Sequence, residues 1–189
     1  MSAQEKQTAP NKLAVTLTNV VKSFLEKNGT AALTKEPEIV ERDIIEYESR
    51  MRVFGMEKFN APCYISVVNF YPSQKDLEAH NACGALVLYL QLENADKLLK
   101  ALGHRKFDDG DDEVMLGKCG ELSTAIAESF KNEIGSQGSR SLVPSAPLNY
   151  KNVVPEGVEF DYNEHKLQEV SFYLWKEKVL AFDVTLTAA

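Results

Sequence analysis

The residues best suited to chemistry lie on one predicted helix over residues 112–135, DEVMLGKCGELSTAIAESFKNEIG. Apolar residues recur along it at helical spacing, and the opposite face carries Gly117, Glu121, Thr124 and Glu128. Glu121 and Thr124 are three residues apart, so their side chains are neighbours on the helix surface. A carboxylate accepts hydrogen bonds, whereas a hydroxyl both donates and accepts them. We therefore take this polar face as the candidate site.

Two glycines stand out within the same helix. Gly117 and Gly120 each cost about 1 kcal/mol relative to alanine in a helix interior, and neither improves the core. We expect something to pack close to the backbone at these positions. A neighbouring helix of the same fold is the interpretation that composition favours. The functional alternative is a partner protein that lies against the first two turns.

Acidic residues mark the predicted start of this helix, in the sequence DDGDDE over residues 108–113. Carboxylates there would cap unpaired amide groups and meet the positive end of the helix dipole. Gly135 is the predicted stop signal. The cluster could also attract a divalent cation and support cation-dependent hydrolysis, but its spacing does not match the calcium-loop pattern. Helix capping is the favoured interpretation, and the hydrolysis hypothesis ranks last.

Composition and charge argue against several classes of function. The chain has 189 residues, of which 44% are hydrophobic and 26% charged, and its net charge is −7. Lysine and arginine are scattered singly, which argues against a nucleic-acid partner because no basic stripe is present. No apolar run approaches the roughly 18 residues that a membrane span needs, and the N-terminus MSAQEKQTAP lacks a secretory signal. We therefore expect a cytoplasmic protein without a membrane span.

The three cysteines, Cys63, Cys83 and Cys119, show no C-x-x-C spacing. They predict neither a disulfide framework nor a zinc site, and buried, reduced thiols are the expected state. Motifs typical of nucleotide-binding loops, dinucleotide sites, zinc proteases and serine hydrolases do not occur in the sequence. We predict no metal site and no intrinsic cofactor.

Periodicity predicts the remaining elements. Helices are expected over residues 10–28 and 95–103, the second capped by Asn94. Strands are expected over 43–56, 62–71 and 82–92, and the first two of these are predicted to form a hairpin. Two prolines confine 141–150 to an edge or irregular strand. The C-terminal segment 166–187 predicts a hairpin that turns over residues 176–178, with Trp175 on a strand.

This order of elements predicts the fold class. Hairpin-length links inside each group of strands favour an α+β fold with an antiparallel sheet of about six strands, covered by amphipathic helices. The length fits a single domain over residues 1–189, in which residues 1–9 form a flexible tail.

The sequence GELSTAIAESFKNEIG resembles the active helix of the CheC/CheX/FliY family of chemotaxis phosphatases, in which an E-x-x-N pair projects from a helix. The surroundings are similar in type: a leading helix, the strand ACGALVLYLQL, the helix ENADKLLKALG, and a segment SLVPSAPLNY similar to the family's S-x-P strand. The similarity covers nearly the whole chain. It is closest to CheX-like members, which carry one active helix.

The resemblance implies a CheC-like fold, a homodimer and a phosphorylated CheY-like response regulator as partner. Glu121 would engage a lysine of that receiver, and Gly117, Gly120 and Glu128 would lie at the partner-binding face. In the family the asparagine orients the water that attacks the phospho-aspartate. The receiver supplies the divalent metal ion, so the phosphatase contributes positioning and exclusion of misoriented water.

The sequence departs from the family motif at Thr124, which takes the place of the asparagine. A threonine hydroxyl reaches less far than an amide, and in a helix it often bonds the carbonyl four residues earlier, here Gly120. Asn132 cannot substitute, because eleven residues separate it from Glu121 by about 16 Å along the helix axis. We therefore predict weak or altered phosphatase activity at Glu121 and Thr124. The alternative is a non-catalytic receiver-binding or regulatory module of the same fold.

Overall fold

The computed structural model describes residues 11–104, 107, 110–138 and 141–187. The predicted tail at residues 1–9 lies outside this part of the chain. The helices are α1 (Lys12–Asn28), α2 (Met56–Phe59), α3 (Gln74–Glu78), α4 (Leu92–Ala101) and α5 (Asp112–Ser136). The strands are β1 (Glu38–Asp43), β2 (Glu46–Tyr47), β3 (Arg50–Phe54), β4 (Cys63–Tyr71), β5 (Gly84–Gln91), β6 (Val143–Pro144), β7 (Leu148–Lys151), β8 (Val153–Val158), β9 (Lys166–Leu174) and β10 (Glu177–Leu186).

The main sheet has seven strands in the order β1-β9-β10-β5-β4-β6, and β7 also pairs with β4. A smaller sheet contains three strands in the order β2-β3-β8. Neighbouring strands run antiparallel in both sheets. The predicted α+β class with an antiparallel sheet is therefore confirmed. The main sheet has seven strands where about six were predicted, and the smaller sheet was not recognised from the sequence.

The central strands are buried on both faces. All nine residues of β4 are buried, with Tyr64, Val68 and Phe70 in the core that also contains residues of α1 and α5. The alternate residues Ile65 and Val67 belong to a second core, which the smaller sheet helps to cover. Burial on both faces explains why the sequence of β5 is a continuous apolar run rather than an alternating pattern. Within the described residues, no helix is both long and apolar enough to cross a membrane.

The predicted strand over residues 43–56 is wrong, because the chain reverses direction inside it. Glu48 and Ser49 both have positive φ angles, of 48° and 62°, and they turn β2 back onto β3. The predicted hairpin between this segment and β4 is also wrong, since β3 pairs with β2 and β8. The sequence contains no glycine or asparagine at this turn, so the usual hairpin signal was missing. The preceding strand β1, which pairs with β9, was not predicted.

The predicted cap at Asn94 is also wrong. α4 begins at Leu92, and Asn94 is buried inside the helix. Its amide donates hydrogen bonds to Gln91 at 2.6 Å and to Glu177 at 2.8 Å. This tertiary contact with β10 uses the side chain that would otherwise have capped the helix.

Two predicted boundaries shift by one or two residues. α5 continues through Gly135 to Ser136, and the left-handed residue that follows it is Gly138, with φ of +83°. The C-terminal hairpin turns at Trp175 and Lys176, whose φ angles are 52° and 70°. Trp175 therefore lies in the turn and not on a strand.

The two glycines of α5 have different surroundings. A Cβ atom at Gly120 would lie 2.6 Å from Nδ2 of Asn149, so this glycine allows β7 to pack close to the helix. A Cβ atom at Gly117 would have no neighbour within 4 Å. The prediction of a neighbouring helix is therefore wrong at both positions: a strand packs on Gly120, and Gly117 faces open space.

A buried cluster of charged side chains stabilises the sheet on the face opposite α1 and α5. Glu169 and Asp183 lie directly opposite each other on β9 and β10. Lys58 of α2 bonds both carboxylates, at 2.8 Å and 2.7 Å. Arg42 bonds Glu169 at 2.6 Å and Lys178 bonds it at 3.0 Å. Although burial acts to raise the pKa of Glu169, these cations hold it at about 2, so the carboxylate is ionised.

The buried cluster predicts a large cost for removal of its central cation. We expect Lys58→Met to lower the free energy of unfolding by about 3 to 5 kcal/mol, because two buried carboxylates would lose their shared partner. The matched control is Lys35→Met, which breaks the exposed ion pair with Glu38 and should cost less than about 1 kcal/mol. Urea denaturation of the three proteins measures both values. Equal costs for the two variants would contradict a stabilising role for Lys58.

The different surroundings of the two glycines predict opposite responses to alanine. Gly117→Ala should raise the free energy of unfolding by about 1 kcal/mol, because it improves helix propensity without a steric conflict. Gly120→Ala gains the same propensity but forces the amide of Asn149 to move, so it should be about 1 to 3 kcal/mol less stable than Gly117→Ala. Urea denaturation of both variants measures the difference. The same stability in both would show that Asn149 yields without cost.

Candidate functional site

The start of α5 is held by a conventional cap. The side chain of Asp111 accepts hydrogen bonds from the backbone N–H groups of Glu113 and Val114, at 2.8 Å and 3.4 Å. The predicted capping role of this acidic segment is confirmed for Asp111, while Asp108 and Asp109 lie outside the described residues. No group of three or more His, Cys, Asp or Glu side chains that could hold a metal ion occurs in the described part of the chain.

The polar face of α5 forms one wall of an open groove with a volume of about 440 Å³. The opposite wall comes from β7 and the residue before it. The groove is lined by Gly117, Gly120, Glu121, Thr124, Ala125, Glu128, Pro147 and Asn149. All five residues that the sequence analysis placed at the site therefore lie together in one groove. Asn132 and Trp175 do not line it.

Glu121 presents an exposed carboxylate to this groove. Its side chain is 56% exposed, and both carboxylate oxygens accept hydrogen bonds from Lys118, at 2.8 Å and 2.9 Å. Nδ1 of His104 lies 3.7 Å from the same carboxylate. An exposed ion pair within one helix contributes little to stability. A cation from a binding partner could therefore replace Lys118 at little cost.

Thr124 uses its hydroxyl proton within the helix. Its Oγ1 donates a hydrogen bond to the backbone carbonyl oxygen of Gly120, at a distance of 2.9 Å. The sequence-based expectation of this contact is confirmed. Because a hydroxyl has one proton, Thr124 can offer only acceptor lone pairs to the groove. A carboxamide in the same place would both donate and accept.

Glu128 lies one helical turn further along the groove. Its carboxylate accepts a hydrogen bond from Lys131 at 2.8 Å, and its side chain is half-exposed. The groove thus contains two carboxylates, each paired with a lysine three residues away on α5. The two pairs nearly cancel in charge, so the groove carries no strong field of either sign.

A three-residue hydrogen-bond network fixes α5 against the sheet near the groove. Asp112, at the start of the helix, accepts hydrogen bonds from the hydroxyl of Tyr64 at 2.7 Å and from Lys151 at 2.5 Å. Tyr64 and Lys151 are register partners on β4 and β7. The pKa of Asp112 is lowered, first by the bond from Lys151 and then by that from Tyr64. The network therefore joins α5 to both strands near the start of the helix.

The sequence analysis missed Asn149, which lies directly opposite Gly120. Residues 141–150 had been linked to the active helix only through their resemblance to the S-x-P strand, and no local pattern places an asparagine of that segment against a glycine of α5. The one indication in the sequence was Gly120 itself, because a glycine inside a helix without an evident packing reason implies a close neighbour.

The buried cysteines offer no competing site, because burial raises the pKa of Cys63 to about 12 and that of Cys119 further.

No protein-family model and no curated protein matches the chain. Several solved structures are similar to the chain in fold. A putative chemotaxis protein from Desulfovibrio vulgaris Hildenborough is 10% identical, with 95% of this chain and 100% of that chain covered and a TM-score of 0.62. Chemotaxis protein CheX from Desulfovibrio desulfuricans is 11% identical, with coverage of 94% and 100% and a TM-score of 0.58.

FliY from Thermotoga maritima is 13% identical, with 93% of this chain and 84% of that chain covered and a TM-score of 0.52. Identities this low establish similarity of fold and leave function to be argued from the site. The match extends over nearly the whole length of the chain in each case. The chain therefore has the fold of the CheC/CheX/FliY chemotaxis proteins.

Proposed function

We propose that the groove on α5 binds a phosphorylated CheY-like response regulator and accelerates hydrolysis of its aspartyl phosphate weakly. The observation that carries the proposal is the open groove itself, in which Glu121 and Thr124 stand side by side on an exposed helix face. The proposal places the protein in the cytoplasm with its receiver, and it requires no cofactor of its own. The receiver contributes the divalent metal ion and the phosphoryl group.

Glu121 is the docking group in this proposal. Its carboxylate is exposed and is bound by Lys118 from the same helix. A lysine of the receiver would replace Lys118, so the exchange leaves the number of ion pairs unchanged. Gly117 has no side chain and no neighbour within 4 Å of a built Cβ, so the receiver can approach the helix backbone beside Glu121. Glu128 adds a second exchangeable carboxylate about two turns further along the groove.

Hydrolysis requires only that a water molecule be held in line with the phosphorus–oxygen bond. The water oxygen forms a bond to phosphorus, the bond from phosphorus to the aspartyl oxygen breaks, and the products are the aspartate carboxylate and dihydrogen phosphate. The water protons leave with the phosphate. Thr124 could accept one hydrogen bond from that water, because its own proton is bonded to Gly120. A group that only accepts orients water less completely than an amide, which is why we propose weak activity.

The hydrogen bond from Thr124 to the carbonyl oxygen of Gly120 favours the second candidate function, a non-catalytic receiver-binding or regulatory module. Because Thr124 bonds its own helix, Glu121 is the one charged side chain among residues 117–124 of α5 that lines the groove. Docking needs Glu121 and an open approach, and both are present. In this alternative the protein would bind the phosphorylated receiver without shortening its lifetime.

We expect Glu121→Lys to weaken receiver binding at least about tenfold, because a like charge would face the docking lysine. The matched control is Glu133→Lys, which makes the same charge change on an exposed residue of α5 that lies twelve residues away, about 18 Å along the axis. Fluorescence anisotropy with a panel of labelled receivers carrying beryllofluoride measures the affinities. Equal affinities of the two variants for every receiver in the panel would show that Glu121 does not contribute to receiver binding.

We expect Thr124→Asn to accelerate decay of an aspartyl-phosphate-labelled receiver at least about tenfold beyond the unmodified protein, because the amide restores a donor to the groove. The measurement is the loss of label from the receiver, with and without each protein at equal concentration. Acceleration by the variant alone would identify the natural protein as a binding module on a competent scaffold. Unchanged decay with intact binding would show that the groove does not align water.

A further inference from the structure

We infer that Asn149 of β7 supplies the carboxamide that α5 lacks at Thr124, and that its amide contacts the attacking water or the phosphoryl oxygens at the base of the groove. This inference rests on the proposed function of the groove. It assigns the second polar group of the site to a strand and not to the helix. Glu121 would then dock the receiver, and Asn149 would supply the amide that contacts the water or the phosphoryl group.

The position of Asn149 is set by the close approach of β7 to α5. Its amide lies over Gly120, where a Cβ atom would be 2.6 Å from Nδ2 and 3.0 Å from Oδ1. Any other residue at position 120 would displace this amide. Gly120 is also one turn before Thr124 and adjacent to Glu121, so the amide lines the same stretch of the groove as both. The glycine therefore admits a polar group to the site.

The amide of Asn149 has unused hydrogen-bonding capacity. Its Oδ1 is buried and has no partner among the described residues. A carboxamide offers two donors and two acceptor sites. Burying an unsatisfied amide costs stability, whereas an apolar side chain of similar size would pack on Gly120 without that cost. Because Asn149 also lines the groove, its amide nitrogen can donate a hydrogen bond to a ligand there, which an apolar side chain could not do.

Other polar groups near Asn149 are unsatisfied as well. Ser66 is the register partner of Asn149 on β4, and it is fully buried. Ser123, one residue before Thr124, is also fully buried. Neither hydroxyl has a hydrogen-bond partner in the described part of the chain. One of these unsatisfied hydroxyls therefore lies on α5, which carries one groove wall, and the other lies on β4, the strand that pairs with β7.

Asn149 and Thr124 complement each other chemically. Thr124 can only accept a hydrogen bond from the groove side, because its proton bonds Gly120. Because Oδ1 of Asn149 is buried, the amide nitrogen is the end that can donate a hydrogen bond to a phosphoryl oxygen or to water in the groove. One water between the two side chains could donate to Oγ1 of Thr124 and accept from Nδ2 of Asn149, which leaves its second lone pair directed at phosphorus. As the water oxygen bonds phosphorus, the aspartyl oxygen leaves with its electron pair, and the water protons stay on the released dihydrogen phosphate.

The test compares Asn149→Ala and Asn149→Asp with Asn132→Ala, an exposed asparagine of α5 outside the groove. We expect both Asn149 variants to lose at least about tenfold of the acceleration of receiver decay, while affinity for the beryllofluoride receiver changes less than about threefold. Asn132→Ala should match the unmodified protein. Adding Thr124→Asn to Asn149→Ala should restore the acceleration. Asn149→Asp keeps the shape of the side chain, so it separates loss of the amide from loss of packing.

A second readout does not depend on turnover. The side-chain amide signals of Asn149 in a ¹⁵N–¹H NMR spectrum can be assigned by their absence in Asn149→Asp, and we expect them to shift when beryllofluoride-bound receiver is added. The receiver could bind the unmodified protein, and fail to bind Glu121→Lys, without shifting the amide signals of Asn149. That result would overturn this inference and leave the proposed function standing. No complex with the unmodified protein would overturn both.

Discussion

The close packing of β7 on α5 at Gly120 is the contact on which the groove depends. With a larger residue at this position, the amide of Asn149 would be displaced from its place over the helix. The network of Tyr64, Asp112 and Lys151 holds the same two walls together at the start of the helix. One small residue and one polar network therefore set the width of the groove, while the residues that face it are free to vary in chemistry.

The two faces of the main sheet carry different kinds of polar group. On the face opposite α1 and α5, Glu169 and Asp183 are buried and fully engaged with Lys58 and other side chains, so they stabilise the fold and offer nothing to a ligand. On the helix side, Glu121 is exposed, and its pairing with Lys118 is one that a partner can replace. This contrast separates structural charges from functional ones better than their residue types do, because exposure and exchangeable partners decide which carboxylate can dock a cation.

The sequence predicted the elements whose signals are local. The periodicity of α5 and the apolar runs of β4 and β5 identified their positions, and the spacing of Glu121 and Thr124 placed them on one face. The smaller sheet was missed because its turn at Glu48 and Ser49 holds ordinary residues at positive φ, which tertiary packing imposes and composition does not show. Asn149 was missed for a related reason: a contact between a strand and a helix glycine some thirty residues apart leaves no periodic trace.

The replacement of asparagine by threonine on α5 need not remove the chemistry of the groove, because a hydrogen bond depends on where the amide lies and not on which element carries it. A strand holds its side chains as firmly as a helix when its register is fixed, and β7 is paired with β4 at each of its four residues. Moving the amide from helix to strand leaves Thr124 free to bond its own backbone and to present only an acceptor. An asparagine on α5 would combine a hydrogen-bond donor and an acceptor in one side chain. In this groove Asn149 of β7 supplies the donor and Thr124 of α5 supplies the acceptor. The activity then depends on how rigidly the packing of β7 on Gly120 holds these two side chains in place.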